Sequence, residues 1–213
     1  MPYYAVKIGK NPGIYNTWSE CQKNISGFSG AKFHKFETID DSNKYMNEEE
    51  YNMNHYKEND SNKINYPCAF VDGSYNGKKE LVGSGIVFKV NINSDEKRII
   101  QTFDASDGTE AKISRNIYGE IKACIEAINL AKSLNLTEIN IYYDYLGIEL
   151  WFTGQWKVGK PKEYLTEYLN IAKEIKEGNK LKVNFYKVSA HTGIKENEIA
   201  DKLAKIGAGF EIN

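Results

Sequence analysis

The order of residue patterns in this 213-residue chain predicts an α/β protein in two parts, a small α/β module followed by a mixed five-stranded sheet flanked by helices. Three observations carry that prediction. A stretch at 47–63, rich in Asn and charge and poor in aliphatic residues, interrupts the chain as a linker does. Ahead of it, strand, strand, helix, strand and helix patterns succeed one another. Behind it, three strands of a meander precede helix and strand patterns in turn. A chain with 41% hydrophobic residues, 27% charged residues and 4 prolines is globular, which excludes collagen-like and disordered classes.

In the first part, Tyr3 to Ile8 alternates as a strand, and Gly13-Ile14-Tyr15 restarts an extended segment after a turn-rich stretch. Thr17-Trp18-Ser19-Glu20 opens a helix with a hydroxyl N-cap and an acid three residues on, the capping-box arrangement. Ala31 to Phe36 alternates again, and Asp40-Asp41-Ser42 is placed to cap a last helix. In the second part, Pro67 to Val71 is a strand ending at Asp72-Gly73-Ser74, followed by strands at Gly83–Val90 and Ile99–Asp104. From Asn116 to Ser133, Ile121, Cys124, Ile125, Ile128 and Ala131 recur at a spacing close to that of an amphipathic helix. Glu138–Tyr143 is a fourth strand; helical patterns near 145–153 and 162–177 lead to a fifth strand at Leu181–Val188 and a last helix at Lys195–Ile206. The expected domains are therefore 1–46 and 65–213, joined by a linker at 47–64.

The longest apolar runs, such as Ile139 to Tyr143, are strand-sized and far below the roughly 20 residues of a membrane-spanning helix. The start, Met1-Pro2-Tyr3-Tyr4-Ala5-Val6-Lys7, lacks the basic and apolar pattern of a secretory signal, so the cytoplasm is the expected compartment and no membrane partner is expected. Cys21, Cys68 and Cys124 are odd in number and far apart, which reads as buried small residues rather than a disulfide or zinc framework. The net charge of −1 hides an asymmetry: residues 1–36 hold five lysines against Glu20, whereas 47–63 hold five acids against two lysines.

Four acids stand out by position. Asp72 and Asp144 each follow a predicted buried strand, Glu120 lies in the first turns of the helix between them, and Asp201 lies on the last helix among apolar neighbours. Ends of central strands are where α/β sheets build sites. Taken singly, Asp72-Gly73 is also a hairpin-turn signature, Glu120 a first-turn acid favoured by the helix dipole, and Asp201 a solvent-facing residue. Taken together, clustered carboxylates raise one another's pKa unless a cation offsets them, and hard oxygen ligands select magnesium or manganese. A pair of such ions roughly 4 Å apart supports in-line phosphoryl displacement, so phosphodiester cleavage is the implied chemistry.

The succession Phe70-Val71-Asp72-Gly73-Ser74-Tyr75-Asn76, Gly119-Glu120-Ile121-Lys122-Ala123, Ile141-Tyr142-Tyr143-Asp144-Tyr145, Val188-Ser189-Ala190-His191-Thr192-Gly193 and Asn197-Glu198-Ile199-Ala200-Asp201 resembles the ribonuclease H domain of the ribonuclease HI family, over about residues 65–213. The resemblance implies a ribonuclease H-like fold and endonucleolytic cleavage of the RNA strand of an RNA/DNA hybrid with two Mg2+ ions, Mn2+ being a substitute, to leave 5′-phosphate and 3′-hydroxyl ends. It implies Asp72, Glu120, Asp144 and Asp201 as metal ligands. It also implies His191 as a group beside the scissile phosphate, a role an imidazole suits by titrating near neutral pH. Gly73, Ser74 and Asn116 are implied substrate contacts, the first two facing RNA 2′-hydroxyls. Arg115 departs from the small hydroxyl residue usual at its position. Trp156 and Lys157 would continue the DNA side.

Tyr4-Ala5-Val6-Lys7-Ile8-Gly9, Gly13-Ile14-Tyr15, Thr17-Trp18-Ser19-Glu20-Cys21 and Lys32-Phe33-His34-Lys35-Phe36 resemble the hybrid-binding, or caulimovirus viroplasmin-like, domain. That likeness, over about 1–46, implies Tyr4, Lys7, Trp18, Phe33 and Lys35 as nucleic-acid contacts, with His34 standing where a second lysine is usual. Trp18 and Phe33 equally suit the core of so small a domain. The expected ligand is an RNA/DNA hybrid, with double-stranded RNA a second candidate for the N-terminal module, and a monomer is expected. The seventeen residues 47–63 have an r.m.s. span of about 20–25 Å, which lets both domains engage one duplex. The alternatives are a non-catalytic hybrid- or duplex-binding protein, disfavoured by the full set of carboxylates, and another nuclease of the same superfold, disfavoured by Gly73, Asn116 and the N-terminal module.

Overall fold

The computed structural model describes residues 2–28, 31–36, 38–46, 64–159, 161–178, 180–188 and 194–211. The chain forms two compact units, Met1–Lys63 and Ile64–Asn213. The 47–63 stretch, and with it nearly all of the expected linker, lies outside the described residues.

The first unit runs β1 (Tyr3–Ile8), β2 (Gly13–Tyr15), α1 (Trp18–Ile25), β3 (Lys32–Phe36) and α2 (Ile39–Met46). Its antiparallel sheet has the order β2-β1-β3. Helix α1 starts where the capping box predicts it: Thr17 is extended, its Oγ1 accepts from the Glu20 N–H at 3.3 Å, and its hydroxyl donates to Glu20 Oε2 at 2.9 Å. Helix α2 differs from expectation, beginning at Ile39 ahead of Asp40-Asp41-Ser42. Ser42 is a buried helix-interior residue whose hydroxyl donates to the Thr38 carbonyl at 3.0 Å, so it bonds backward into the helix instead of capping it. Among the described residues, the buried apolar ones of this unit are small: Ala5, Val6 and Cys21.

The second unit opens with an antiparallel meander, β4 (Cys68–Asn76), β5 (Leu81–Lys89) and β6 (Lys97–Asp104). There follow α3 (Glu110–Ser114), α4 (Asn116–Ser133), β7 (Glu138–Tyr143), α5 (Gly147–Thr153), α6 (Glu163–Gly178), β8 (Lys182–Lys187) and α7 (Lys195–Gly207). The sheet order is β6-β5-β4-β7-β8, with β7 parallel to β4 and β8 parallel to β7. This is the mixed five-stranded sheet flanked by helices that the sequence predicts. Alternation along β4 sends Ala69 and Val71 to a core shared with α4, α5 and α6, and Cys68 and Phe70 to a core shared with α7. All three cysteines are buried and free.

Strand β4 departs from expectation in a way that shapes the site. It does not end at Asp72 but runs on to Asn76, because its pairing with β5 continues from Cys68↔Lys89 to Asn76↔Leu81. The turn falls at 77–80, which overturns the hairpin-turn reading of Asp72-Gly73. Pairing with β7, by contrast, stops at Phe70↔Tyr142. Asp72 is therefore where β4 loses its parallel neighbour, two residues past that last pair, and Asp144 stands two residues past Tyr142.

The opposite face is set by glycine. A Cβ on Gly85 would stand 2.0 Å from the Ala200 carbonyl oxygen and 2.5 Å from the Ala204 nitrogen, so α7 lies directly on the β5 backbone. Gly85→Ala is expected to cost more than about 3 kcal/mol in denaturant unfolding, or to abolish folding. Gly159→Ala, where nothing lies within 4 Å, is expected to stay within about 0.5 kcal/mol of wild type. Equal effects of the two would show that the β5–α7 contact yields.

Candidate active site

Alternation along β4 puts Asp72 on one side and Gly73 on the other, against α4. A Cβ on Gly73 would lie 2.3 Å from the Asn116 oxygen and 2.4 Å from the Glu120 nitrogen, and one on Gly119 would lie 2.4 Å from the Gly83 oxygen. Two glycines thus let helix and sheet touch through their backbones. The buried Ser84 hydroxyl donates to the Gly119 carbonyl at 2.8 Å and pins the helix there. Glu120, the next residue, is carried against the strands, 3% exposed.

Asp72, Glu120 and Asp144 converge: one oxygen of each lies within 4.8 Å of the others. The Gly73 N–H donates to Asp72 Oδ1 at 2.7 Å, and Asn116 Nδ2 donates to Glu120 Oε1 at 3.4 Å. Glu120 Oε2 is buried and has no hydrogen-bond partner among the described residues. A buried carboxylate with one unpartnered oxygen, converging with two further carboxylates, suits a hard divalent cation, and these three residues fit one.

Without a cation the cluster is electrostatically costly. Burial pushes the Asp72 carboxyl up from 3.8 to about 7, with Asp144 and Asp201 adding to the rise and the Gly73 N–H and Lys205 opposing it. Burial, then Asp144 and Asp72, raises Glu120 well above its ordinary value. Asp144 is raised by burial and by Asp201, against backbone hydrogen bonds and Lys187.

Asp201 is near enough to act on Asp72 and Asp144 but is not one of the convergent three. It sits half-buried on α7, its Oδ2 accepting from Lys205 Nζ at 2.7 Å. His191 and Gly193 lie outside the described residues. Ser74 follows Gly73 on β4, half-buried. Arg115 holds a left-handed φ of 54° at the junction of α3 and α4, with its guanidinium 5.6 Å from the centre of the Tyr75 ring. Trp156 is surface-exposed and packs on Trp151, itself against Tyr145.

In the first unit, Tyr4, Trp18 and Phe33 form a tilted row with ring centroids 5.7 and 5.8 Å apart. Trp18 is 44% and Phe33 41% exposed, which overturns the reading of both as core: the small residues of β1 and α1 fill the interior, and these rings stay outside. Lys35 pairs with Tyr4 across β1 and β3, on the strand face of Phe33. Lys7 is on the other face, where its ammonium donates to the Tyr45 carbonyl at 3.3 Å and lies over the Tyr45 ring. His34 shares that face, with Phe36 and Tyr45.

Sequence reasoning missed Gly119 and Ser84, whose roles exist only across the helix–sheet contact. It also missed Lys205, which an acid-to-lysine spacing of four on a helix does signal.

Because the Asp72 carboxyl has a higher value folded than unfolded, its contribution favours the fold below 3.8 and is lost as pH rises through about 7. Asp72→Asn is expected to stabilise the metal-free protein at pH 8 by roughly 1–3 kcal/mol, with a much smaller gain at pH 4. Thermal unfolding in chelator at both pH values checks this, and a variant less stable than wild type at pH 8 would refute it.

Residues 2–46 match the family model described as Ribonuclease H1 N-terminal domain, and residues 65–209 the model described as RNase H. The human protein named Ribonuclease H1 is 24% identical over 256 aligned positions, covering 97% of this chain and 89% of its own. Ribonuclease HI of Haemophilus influenzae is 33% identical over 149, covering 65% of this chain and 87% of its own. The fold is shared with RNase H1 of the halophilic archaeon Halobacterium salinarum, at a TM-score of 0.51 and 23% identity over 67% of this chain and 96% of that one. It is shared too with the compost-derived LC11-RNase H1, at 0.50 and 19% over 68% and 97%. Since the RNase H match runs through β4, α4 and β7, the elements that gather the carboxylates, and spans well over half the chain, this protein belongs to the ribonuclease H family and is a ribonuclease acting on RNA/DNA hybrids.

Proposed function

We propose that the chain cleaves the RNA strand internally by metal-assisted hydrolysis, with residues 1–46 holding the hybrid, 47–64 linking, and 65–213 cutting. The observation that carries this is the convergence of Asp72, Glu120 and Asp144, together with the buried, unpartnered oxygen of Glu120. Asp72, Glu120 and Asp144 would hold Mg2+, with Asp201 completing a second site. Bound there, paired ions would activate water and stabilise charge on the leaving oxygen. Water adds to the phosphorus, the bond from phosphorus to the 3′ oxygen breaks, and that oxygen takes up a proton. The products carry 5′-phosphate and 3′-hydroxyl ends. His191 is assigned to proton movement at the leaving group or product release. Gly73, Ser74 and Asn116 line the strand and helix end beside the carboxylates and are proposed to meet the RNA.

The N-terminal unit supports the same reading. Exposed rings beside Lys35 offer stacking surface and charge without sequence readout. Lys7, on the other face, is assigned a weaker part. Positive charge concentrated in residues 1–36, against 20 basic and 20 acidic residues in 64–213, makes that module the electrostatic anchor.

A labelled RNA/DNA hybrid, duplex RNA and single-stranded RNA incubated in Mg2+ test the activity. Only the RNA of the hybrid is expected to be cut, and Asp72→Asn is expected to lower the rate at least about 10³-fold while still binding hybrid. Binding without cleavage by the wild type in both Mg2+ and Mn2+ would make this a binding protein instead. In an Asp72→Asn background, Trp18→Ala is expected to weaken hybrid binding by about 1–3 kcal/mol, read by fluorescence anisotropy. The same titration with double-stranded RNA decides whether the module accepts that ligand, and unchanged affinity for both duplexes would remove Trp18 from the interface.

A further inference from the structure

The four acids of the catalytic unit are not equally supplied with positive charge. Glu120 has an oxygen with no hydrogen-bond partner among the described residues, whereas Asp201 already holds an ammonium, with Lys205 Nζ 2.7 Å from its Oδ2. The pair lies one turn apart on α7, in the order acid then lysine that a helix favours. Its backbone is packed directly on the sheet: Ala200 and Ala204, each next to a member of the pair, lie in α7's contact with the β5 backbone at Gly85. The lysine side chain is the part that can move, being 43% exposed, while the Asp201 side chain is 30% exposed. The Lys205 charge reaches Asp72 as well, drawing its carboxyl down against burial.

From this geometry we infer that Lys205 is a built-in monovalent competitor for the Asp201 side of the site, so that a divalent ion engaging Asp201 must first displace its ammonium. Lys205 is a positioning residue and touches neither the RNA nor the reacting atoms. Two consequences follow from the asymmetry of the cluster. The first ion enters at Asp72, Glu120 and Asp144, where one Glu120 oxygen has no hydrogen-bond partner among the described residues. The second enters against Lys205, which sets its apparent affinity and keeps Asp201 oriented until it arrives. This inference rests on the metal-site reading above.

The test is calorimetric titration of the full chain with Mn2+ as probe, on wild type, Lys205→Gln, Lys205→Arg and Asp72→Asn, together with the Mn2+ dependence of hybrid cleavage for the first three. Lys205→Gln is expected to tighten the weaker binding event roughly three- to tenfold and to lower the Mn2+ concentration for half-maximal cleavage in step, leaving the tighter event within about twofold. Lys205→Arg, which keeps the charge, is expected to behave as wild type. A weaker event unchanged in Lys205→Gln, in a wild type that binds Mn2+ and loses it on Asp72→Asn, overturns the competition while sparing the metal site. A wild type that takes up no Mn2+ overturns both. Thermal unfolding of Lys205→Gln in chelator guards against misfolding, and a variant that binds and cleaves more weakly although folded also overturns the inference, because it makes the lysine an aid to metal binding.

Discussion

Everything at the catalytic end of this protein depends on one contact between two backbones. Side chains ordinarily hold a helix away from a sheet, but Gly73 on β4 and Gly119 on α4 have none to interpose, and the Ser84 hydroxyl ties the helix down at the same point. The residue after Gly119 is consequently driven into the interior with its carboxylate, beside a strand that carries another. A larger residue at either glycine would lift α4 and carry Glu120 away from Asp72 and Asp144.

That contact has an electrostatic cost that explains the rest of the site. Three carboxylates within 4.8 Å of one another, one of them almost wholly buried, disfavour their own ionisation, and the fold supplies few hydrogen bonds to offset it. Natural proteins break local rules of polar satisfaction where function demands it. The offset here comes in two forms: a site shaped for a divalent cation at the three convergent acids, and the Lys205 ammonium at the fourth. The N-terminal unit solves a different problem. Among the described residues its interior is filled by small residues and a buried serine, and Trp18 and Phe33 remain on the surface, where they are available to flat ligands.

Local periodicity was enough for much of this architecture. Helix α4 and strand β7 begin and end at the residues their apolar patterns indicate, since Ile121, Cys124, Ile125, Ile128 and Ala131 all point into one core. The Thr17 and Glu20 spacing marks the start of α1 for the same reason: a cap is closed between residues three apart. The short α3 escaped notice because five residues carry too little periodicity to register.

The sequence by itself determined which acids could matter, their order along the chain, and the alternation of elements that carries them, because those follow from residue type and from hydrogen bonding within a turn or a strand. The tertiary structure decided what no local pattern encodes. It decided that β4 continues past Asp72 through pairing with β5, while β7 departs and frees Asp144 beside it. It decided that Asp201 stands apart from the convergent three with a lysine on it, that Trp18 and Phe33 face outward, and that Lys7 belongs to the opposite face. Each of these depends on which distant segment lies alongside, and that is set by the packing of the whole sheet and its helices.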